Sequence, residues 1–221
     1  MSALRHVFAI VEAVVARQNA GASFAEVVAA TGAPKASAHR ILKELVELGV
    51  LVFARETGRY RGSLRLASIG CEVTANLDLR TVARPHLEAL HEATRHTANL
   101  GIRDGDAGVY IDKIETPDYG IKLFSEVGKR FPLHCTAMGK VLLAYADEAD
   151  RERFLAREFA RFTPNTIVEP ERLRDELAQV RAAGVGLDRE EITRGVVCVA
   201  APVFNGDGVA GAVSVAFPAY V

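Results

Sequence analysis

The sequence lacks any long hydrophobic run and is not enriched in glycine or proline. Of its 221 residues, 18 are glycine and 8 are proline, which is too few for a collagen-like or largely disordered chain. No stretch of 18 apolar residues occurs, so we expect no transmembrane helix and no membrane partner. Arg5, Glu12 and Arg17 interrupt the apolar positions of the first 18 residues, which is typical of an amphipathic helix and not of a signal peptide.

Cysteine is scarce as well. Cys71, Cys135 and Cys198 are far apart and odd in number. They offer no disulfide framework and no paired-cysteine metal site, and they favour a reducing, cytoplasmic setting. His134 directly precedes Cys135, but no partner stands at the spacing of zinc ligands, so we expect no bound metal.

Motifs of common enzymes and cofactor sites are also missing. The sequence contains no Walker phosphate loop, no G-x-S-x-G, no H-E-x-x-H and no Rossmann glycine pattern, so we expect no cofactor and no enzyme of those classes. One enzymatic alternative stays open. Cys198 or Cys135 could serve as a nucleophile, with His134 as its base and Asp188 orienting that base.

The charge is unevenly distributed along the chain. The formal net charge is -1. Over residues 1–65, however, nine Lys and Arg stand against five Asp and Glu, and over the rest the counts are 18 and 23. A basic first segment on an acidic body indicates a nucleic-acid-binding head, although charge alone is weak evidence.

The first segment has the pattern of a winged helix-turn-helix. Apolar residues at helical spacing predict a helix over residues 3–18 that buries Leu4, Val7, Phe8, Val11, Val14 and Val15. Ser23 and Glu26 form a capping box that starts a short second helix. A third helix follows Pro34 and ends at Gly49. Its predicted core face consists of Ala38, Ile41, Leu42, Leu45 and Leu48.

The opposite face of the third helix has the chemistry of DNA recognition. Its first two turns carry small polar and cationic side chains, and acidic residues stand only near its end. We therefore predict base and phosphate contacts from Lys35, Ala36, Ser37, His39, Arg40 and Lys43. Two β-prone runs, 50–54 and 59–62, form a hairpin whose Arg55, Arg59 and Arg61 suit phosphate or minor-groove contact.

The remaining residues predict an α+β domain with an antiparallel sheet flanked by helices. Helices are expected over 64–78, 78–94, 136–146, 148–158 and 169–183, with Pro85 as a kink or a start in the second. Strands are expected over 97–103, 108–114, 121–125, 196–204 and 209–217. The helix over 64–78 is either a fourth core helix or a linker.

Three blocks of sequence, in this order, resemble the IclR family of bacterial transcription regulators. They are TGAPKASAHRILKELVELGVL at 31–51, SEVGKRFPLHCTAMGKVLLA at 125–144 and GVGLDREEITRGVVCVAAPVF at 184–204. The resemblance implies a winged helix-turn-helix domain at 1–62, a linker helix at 63–78 and a GAF-like effector-binding domain at 79–221. It also implies homodimers or dimers of dimers. We expect binding to double-stranded operator DNA under the control of a small carboxylate or aromatic acid, with repression as the direction of control.

The sequence departs from the family pattern in three places. Ala36-Ser37 replaces the common Ser-Thr after Pro-Lys, which removes one hydroxyl from the DNA face. Ala216 stands where many members have a second serine after Ser214. Members usually close with a C-terminal helix, whereas this sequence ends at Val221.

An effector site is predicted at the start of the helix after Thr136. Free amides in a first helical turn bind carboxylates, and here they belong to Ala137 and Met138. The resemblance adds Asp188, Cys198 and Ser214 as ligand contacts. The side chains of Met138, Leu123 and Ile114 are expected to wall the pocket.

Two of these positions have a plainer interpretation. Cys198 could be a buried core thiol. Asp188 could be a turn acid, or it could hold a loop or meet a hydroxyl or a water. Its charge would repel an effector carboxylate. The sequence leaves these alternatives open.

Overall fold

The computed structural model describes residues 3–75, 77–116, 123, 125–206 and 208–220. The chain divides into two compact units, Met1–Ala75 and Asn76–Val221. No helix among the described residues is long and apolar enough to cross a membrane.

The first unit is a winged helix-turn-helix, as predicted. Its elements are α1 (Ala3–Val15), β1 (Ala22–Ser23), α2 (Phe24–Thr31), α3 (Lys35–Glu47), β2 (Leu51–Ala54), β3 (Arg59–Gly62) and α4 (Leu64–Ala75). The strands form one antiparallel sheet in the order β1-β3-β2. The capping box is confirmed, since the Glu26 amide donates to Ser23 Oγ and the Ser23 amide to a Glu26 carboxylate oxygen.

The core of this unit corrects two expectations. Ile10 and Val14 of α1 are buried, but Leu4 is 73%, Phe8 71% and Val15 43% exposed, so the buried stripe is narrower than predicted. Leu48 is exposed as well, because α3 ends at Glu47 and its buried side chains end at Leu45. The face of α1 that carries Leu4 and Phe8 is therefore apolar and uncovered in one chain.

The second unit is an antiparallel six-stranded sheet with helices on both faces, in agreement with the predicted α+β class. Its elements are α5 (Asp78–Thr94), β4 (Thr97–Asp104), β5 (Ala107–Ile114), β6 (Arg130–Pro132), α6 (Ala137–Ala144), α7 (Glu148–Leu155), α8 (Pro170–Ala183), β7 (Gly186–Arg189), β8 (Val196–Asn205) and β9 (Gly208–Pro218). The strand order is β6-β5-β4-β9-β8-β7.

Two separate hydrophobic clusters cover the two faces of this sheet. Leu87 of α5 packs with Leu100 and Ile111 on one face. Val141 of α6 and Leu177 of α8 belong to the cluster on the other face. Successive strand residues point to opposite faces, so Asn99, next to Leu100, faces α6. This alternation places polar side chains under the start of α6.

Several element boundaries differ from the sequence-based ones. The helix predicted over 64–78 ends at Ala75, and α5 runs unbroken through Pro85. The short strands β6 and β7 were not predicted. The predicted strand over 121–125 lies mostly outside the described residues, which include only Leu123 and Ser125 of that run.

Candidate functional sites

Helix α3 presents one polar face opposite its buried side. Lys35, Ala36, His39, Arg40 and Lys43 are exposed, and Ser37 is half-buried. The positions between them, Ala38, Ile41, Leu42 and Leu45, are buried against the rest of the unit. The six residues predicted to contact DNA therefore lie together on the accessible side of one helix.

Two cations of this face form ion pairs along the helix. Arg40 lies 3.2 Å from Glu44 and Lys43 lies 3.7 Å from Glu47, and all four side chains are more than half exposed. Exposed pairs of this kind contribute about 0.3–0.5 kcal/mol. Both cations can therefore exchange a carboxylate for a phosphate at little cost.

The arginines of the wing, which is the hairpin formed by β2 and β3, also have a structural role. Arg59 donates to the Gly21 carbonyl at 2.8 Å and to Glu26 at 3.2 Å, and Arg61 donates to the Asn19 carbonyl at 3.3 Å. These bonds tie β3 to the loop after α1. Arg55 instead lies in the exposed turn between β2 and β3.

A narrow cavity of about 30 Å³, partly open to solvent, lies between the six-stranded sheet and the start of α6. This volume is well below the range of about 300–1,000 Å³ that is usual for ligand pockets. Its walls are Asn99, Tyr110, Leu123, Ser125, Thr136, Ala137, Met138, Asp188, Ile192, Thr193, Val196, Cys198, Ser214 and Ala216. Six of the seven residues predicted for the effector site are among them, and Ile114 is not.

Strand register brings these side chains together from distant parts of the sequence. Asp188 lies opposite Cys198, which lies opposite Ala216 on the next strand. In the adjoining row, Ser214 lies opposite Asn99, and the Asn99 amide nitrogen is 3.5 Å from Ser214 Oγ. Two cross-strand rows thus form the floor of the cavity.

The start of α6 forms the opposite wall. Thr136 caps the helix, accepting from the Gly139 amide at 3.1 Å and donating to the Pro132 carbonyl at 2.7 Å. The backbone amides of Ala137 and Met138 have no acceptor within the helix, as is general for a first turn. No Lys, Arg or His is among the described residues that line the cavity. An anion here would be held by amides and the helix dipole.

Asp188 is the one charged side chain among these described wall residues. It is 1% exposed and lies near the end of strand β7, where its carboxylate holds the following turn, in agreement with one of the alternatives left open by the sequence. Its Oδ1 accepts from the Glu191 amide at 2.7 Å, while Oδ2 is buried without a hydrogen-bond partner among the described residues. Burial, and secondarily the charge of Glu191, raise the pKa of Asp188 to about 7.

A buried lysine lies behind this acid. Lys140 of α6 is fully buried and its Nζ contacts Glu191 at 2.7 Å and Glu176 of α8 at 2.8 Å. Glu191 in turn donates its backbone amide to Asp188. The network therefore connects α6, α8 and β7 immediately behind the cavity wall.

The geometry gives no support to a cysteine nucleophile. Burial raises the pKa of both the Cys198 and Cys135 thiols, and protonated thiols are poor nucleophiles. His134 places its Nε2 3.0 Å from the Ala160 carbonyl oxygen and stacks on Phe159. No described hydrogen bond joins it to either thiol. Nor do the described residues include a cluster of His, Cys, Asp and Glu suited to a metal ion.

Several wall residues escaped the sequence analysis, and one predicted wall residue is wrong. Ile114 packs with the cluster under α5 and not in the cavity. The residues that were missed are Asn99, Tyr110, Ser125, Thr136, Ile192, Thr193 and Val196. Asn99 had a visible signal, because it is a lone amide inside the apolar run of β4. Ser125 had no such signal, because a single serine at the end of a short predicted strand is common in proteins.

The sequence matches two family models. The IclR helix-turn-helix domain matches residues 3–55 and the bacterial transcriptional regulator IclR C-terminal matches residues 71–221. The HTH-type transcriptional regulator XynR of Escherichia coli (strain K12) is 41% identical over 79% of this chain and 69% of its own length. The regulator KdgR of Dickeya chrysanthemi is 39% identical over 83% of this chain. This chain covers 61% of the length of KdgR, less than two thirds.

A solved structure is similar over nearly the whole chain. It is an IclR homolog from Microbacterium hydrocarbonoxydans complexed with 4-hydroxybenzoate, with a TM-score of 0.81 and 27% identity. The alignment covers 98% of this chain and 89% of that one.

Proposed function

This chain belongs to the IclR family of bacterial transcriptional regulators, which bind DNA, and from that premise we propose how it works. Helix α3 and the β2–β3 wing bind double-stranded operator DNA. A small acid binds in the cavity under α6 and changes the affinity for that DNA. The exposed cationic start of α3 is the observation that carries this proposal.

The chemistry of α3 supports major-groove docking. Arginine and lysine recognise guanine edges and phosphates, and a recognition helix contacts bases with its N-terminal residues. Lys35, Ser37, His39 and Arg40 stand in the first two turns, whereas Glu44 and Glu47 follow later. In the wing, Arg55 is the residue best placed for a phosphate. Arg59 and Arg61 would combine their structural bonds with a phosphate contact.

The cavity supports the sensing half of the proposal. Two free amides and the dipole of α6 face this cavity. A homologue's structure holds 4-hydroxybenzoate, which is an acid of this kind. Ala137 and Met138 would hold the effector carboxylate, and Leu123, Asp188, Cys198 and Ser214 would contact the rest of the molecule.

Family membership supports the remaining parts of the proposal. The chain acts in the cytoplasm as a homodimer or a dimer of dimers, because two heads on one assembly read two half-sites of an operator. It acts as a repressor that releases DNA when the effector binds. Its activity is regulatory and not enzymatic.

Arg40→Ala tests the DNA half. The duplex for this test is selected from a random library by the wild-type chain. We expect Arg40→Ala to weaken binding to it by about 10- to 100-fold, since one good base or phosphate contact of arginine is worth about 1–3 kcal/mol. Fluorescence anisotropy at one fixed salt concentration measures the affinity.

Arg153→Ala is the matched control. Arg153 is 64% exposed and pairs with Asp150 on its own helix, much as Arg40 is 66% exposed and pairs with Glu44. The control lies in the second unit and should leave the affinity unchanged. Equal affinities for the two variants would contradict the docking of α3.

A further inference from the structure

A second concave region lies between α8, the end of β7 and the segment that joins α7 to α8. It is a cleft of about 330 Å³ that is partly open to solvent, and this volume is within the range of about 300–1,000 Å³ usual for ligand pockets. Among the described residues, its walls share no member with those of the cavity under α6. The cleft is therefore a separate candidate for a small-molecule site.

The floor of this cleft is acidic and consists of Glu176 and Glu191. Their side chains are 17% and 4% exposed, and the buried Lys140 contacts one carboxylate oxygen of each, at 2.8 and 2.7 Å. One close cation thus serves two acids. Glu191 Oε2 is buried and has no hydrogen-bond partner among the described residues. The floor therefore lacks a donor, and a positively charged donor would also balance its charge.

The rim of the cleft is basic. Arg172 and Arg189 line it, and both side chains are exposed. Among the described residues, Arg172 has no hydrogen bond or ion pair. The Arg189 guanidinium lies 3.8 Å from the Glu176 carboxylate, which is beyond hydrogen-bond distance. Both guanidinium groups therefore retain donors for an anion.

We propose that this cleft binds a free α-amino acid with a small aliphatic side chain. Its ammonium group lies at the acidic floor, and its carboxylate accepts from the two arginines of the rim. An ammonium group has three donor hydrogens, enough for Glu191 Oε2 and for Glu176. Arginine binds a carboxylate through two parallel hydrogen bonds. This site does not depend on the acid effector of the other cavity.

A zwitterion matches this charge pattern better than an ion of one sign. A simple anion would meet the arginines, but it would bring further negative charge close to the two acids. A simple amine would satisfy the floor and leave the rim unused. Pro164 and Ile167 are the apolar walls, and Ile167 is 5% exposed. These walls favour an aliphatic side chain over a polar one.

Glu191 places this cleft directly beside the effector cavity. Its backbone amide donates to Asp188 Oδ1 at 2.7 Å, and Asp188 lines the cavity. A ligand that bonds to Glu191 therefore contacts a residue that also holds the cavity wall.

Titration calorimetry of the full chain at pH 7 tests recognition of the zwitterion. The probes are L-alanine, L-valine and L-leucine. Each is compared with the acid that lacks its ammonium group (propanoate, isovalerate or isocaproate) and with the amine that lacks its carboxylate (ethylamine, isobutylamine or isoamylamine). We expect at least one amino acid to bind about tenfold or more tighter than both of its analogues, because each analogue loses charge-assisted hydrogen bonds.

Arg172→Gln assigns the binding to the cleft. Since Arg172 is exposed and has no partner among the described residues, its substitution should leave the fold intact. It should weaken the amino acid about tenfold. The matched amine should bind unchanged or tighter, because it has no carboxylate to lose a contact. Arg5→Gln is the control, since Arg5 is also exposed but belongs to α1, and it should leave the affinity unchanged.

Three results would overturn the proposal. Amino acid binding that survives both Arg172→Gln and Arg189→Gln unchanged would place the ligand elsewhere. Amino acids that bind no tighter than their acid and amine analogues would mean that the zwitterion is not recognised. Absence of binding by all three amino acids at concentrations up to about 10 mM would remove the site itself. DNA binding by α3 and the acid effector are unaffected by each of these results, since they depend on other residues.

Discussion

The two carboxylate oxygens of Asp188 have different surroundings. One carboxylate oxygen holds the Glu191 amide, and the other is buried without a partner among the described residues. An unpartnered charge in a buried wall is unfavourable, so the pKa of Asp188 rises to about 7. A ligand hydroxyl would stabilise the ionised form.

This raised pKa predicts a pH dependence of stability. In the unfolded chain Asp188 ionises near pH 4, whereas in the folded chain it ionises near 7. Its contribution is complete below pH 4 and is lost as pH rises to 7, by at most about 1.4 kcal/mol per pH unit. Urea unfolding of the effector-free chain between pH 4.5 and 8 measures this loss.

Asp188→Asn is the reference for that measurement, because the asparagine side chain has the same shape as aspartate and cannot ionise. The wild type should lose stability relative to this variant as pH rises. Parallel curves for the two proteins would mean that Asp188 titrates normally in the fold. The other titrating groups are common to both proteins and cancel in the difference.

At the scale of elements, the ion pairs of Lys140 connect α6 and the end of β7, which both contribute to the cavity wall, with α8 behind them. Lys140 in α6 contacts Glu176 in α8 and Glu191 after β7. One buried cation thereby pairs with two acids, and Arg189 also lies 3.8 Å from Glu176. Such a network gives little net stability as a whole, but removing one partner leaves uncompensated buried charge.

Lys140→Met should therefore be strongly destabilising. We expect a loss of about 3–5 kcal/mol in the free energy of unfolding, measured with urea at pH 7. Adding Glu191→Gln to Lys140→Met should recover part of the loss, since one orphaned charge is removed.

The same substitution at an exposed pair gives the comparison. Lys43 is 71% exposed and pairs with Glu47, so Lys43→Met should cost less than about 1 kcal/mol. If Lys140→Met costs no more than Lys43→Met, the network does not hold these elements together.

The sequence predicted some elements better than others, for physical reasons. Helix α8 and the hairpin β8–β9 have long periodic patterns and clear turn residues, and their predicted ends differ from the structure by only one residue. Strands β6 and β7 have three and four residues, too few for a period to show. Their pairing depends on the neighbouring strand and not on local preference.

The same difference between local patterns and long-range pairing explains which cavity residues could be predicted. The amides of Ala137 and Met138 were predictable, because a helix start is a local feature. The contact between Asn99 and Ser214 joins residues 115 positions apart, and only strand register creates it. The sequence therefore identified some cavity residues singly and others only through the family resemblance. The rest were missed.

At the scale of the whole molecule, the exposed apolar residues of α1 bear on assembly. Leu4, Phe8 and Val15 lie uncovered on one face of this helix in the isolated chain. Exposed apolar patches of soluble proteins often mark interaction sites. The proposed homodimer gives this face a natural partner, namely the same face of a second copy.

Phe8→Glu should therefore disrupt the assembly. We expect the wild type to sediment at twice its 23.8 kDa or more, and Phe8→Glu to shift toward the single-chain mass, because a charge cannot be buried unpaired in an apolar contact. Analytical ultracentrifugation over a range of concentrations measures both. The variant should also bind the selected duplex less tightly, since one head alone reads only one half-site.

Val185→Glu separates this effect from a general response to a new charge. Val185 is exposed in the second unit, between α8 and β7, so its substitution should leave the mass unchanged. A wild type that sediments as a single chain at every concentration would overturn the homodimer itself. A dimeric Phe8→Glu would instead place the interface elsewhere, because an isologous contact through α1 brings both copies of residue 8 into it and would repel two new carboxylates.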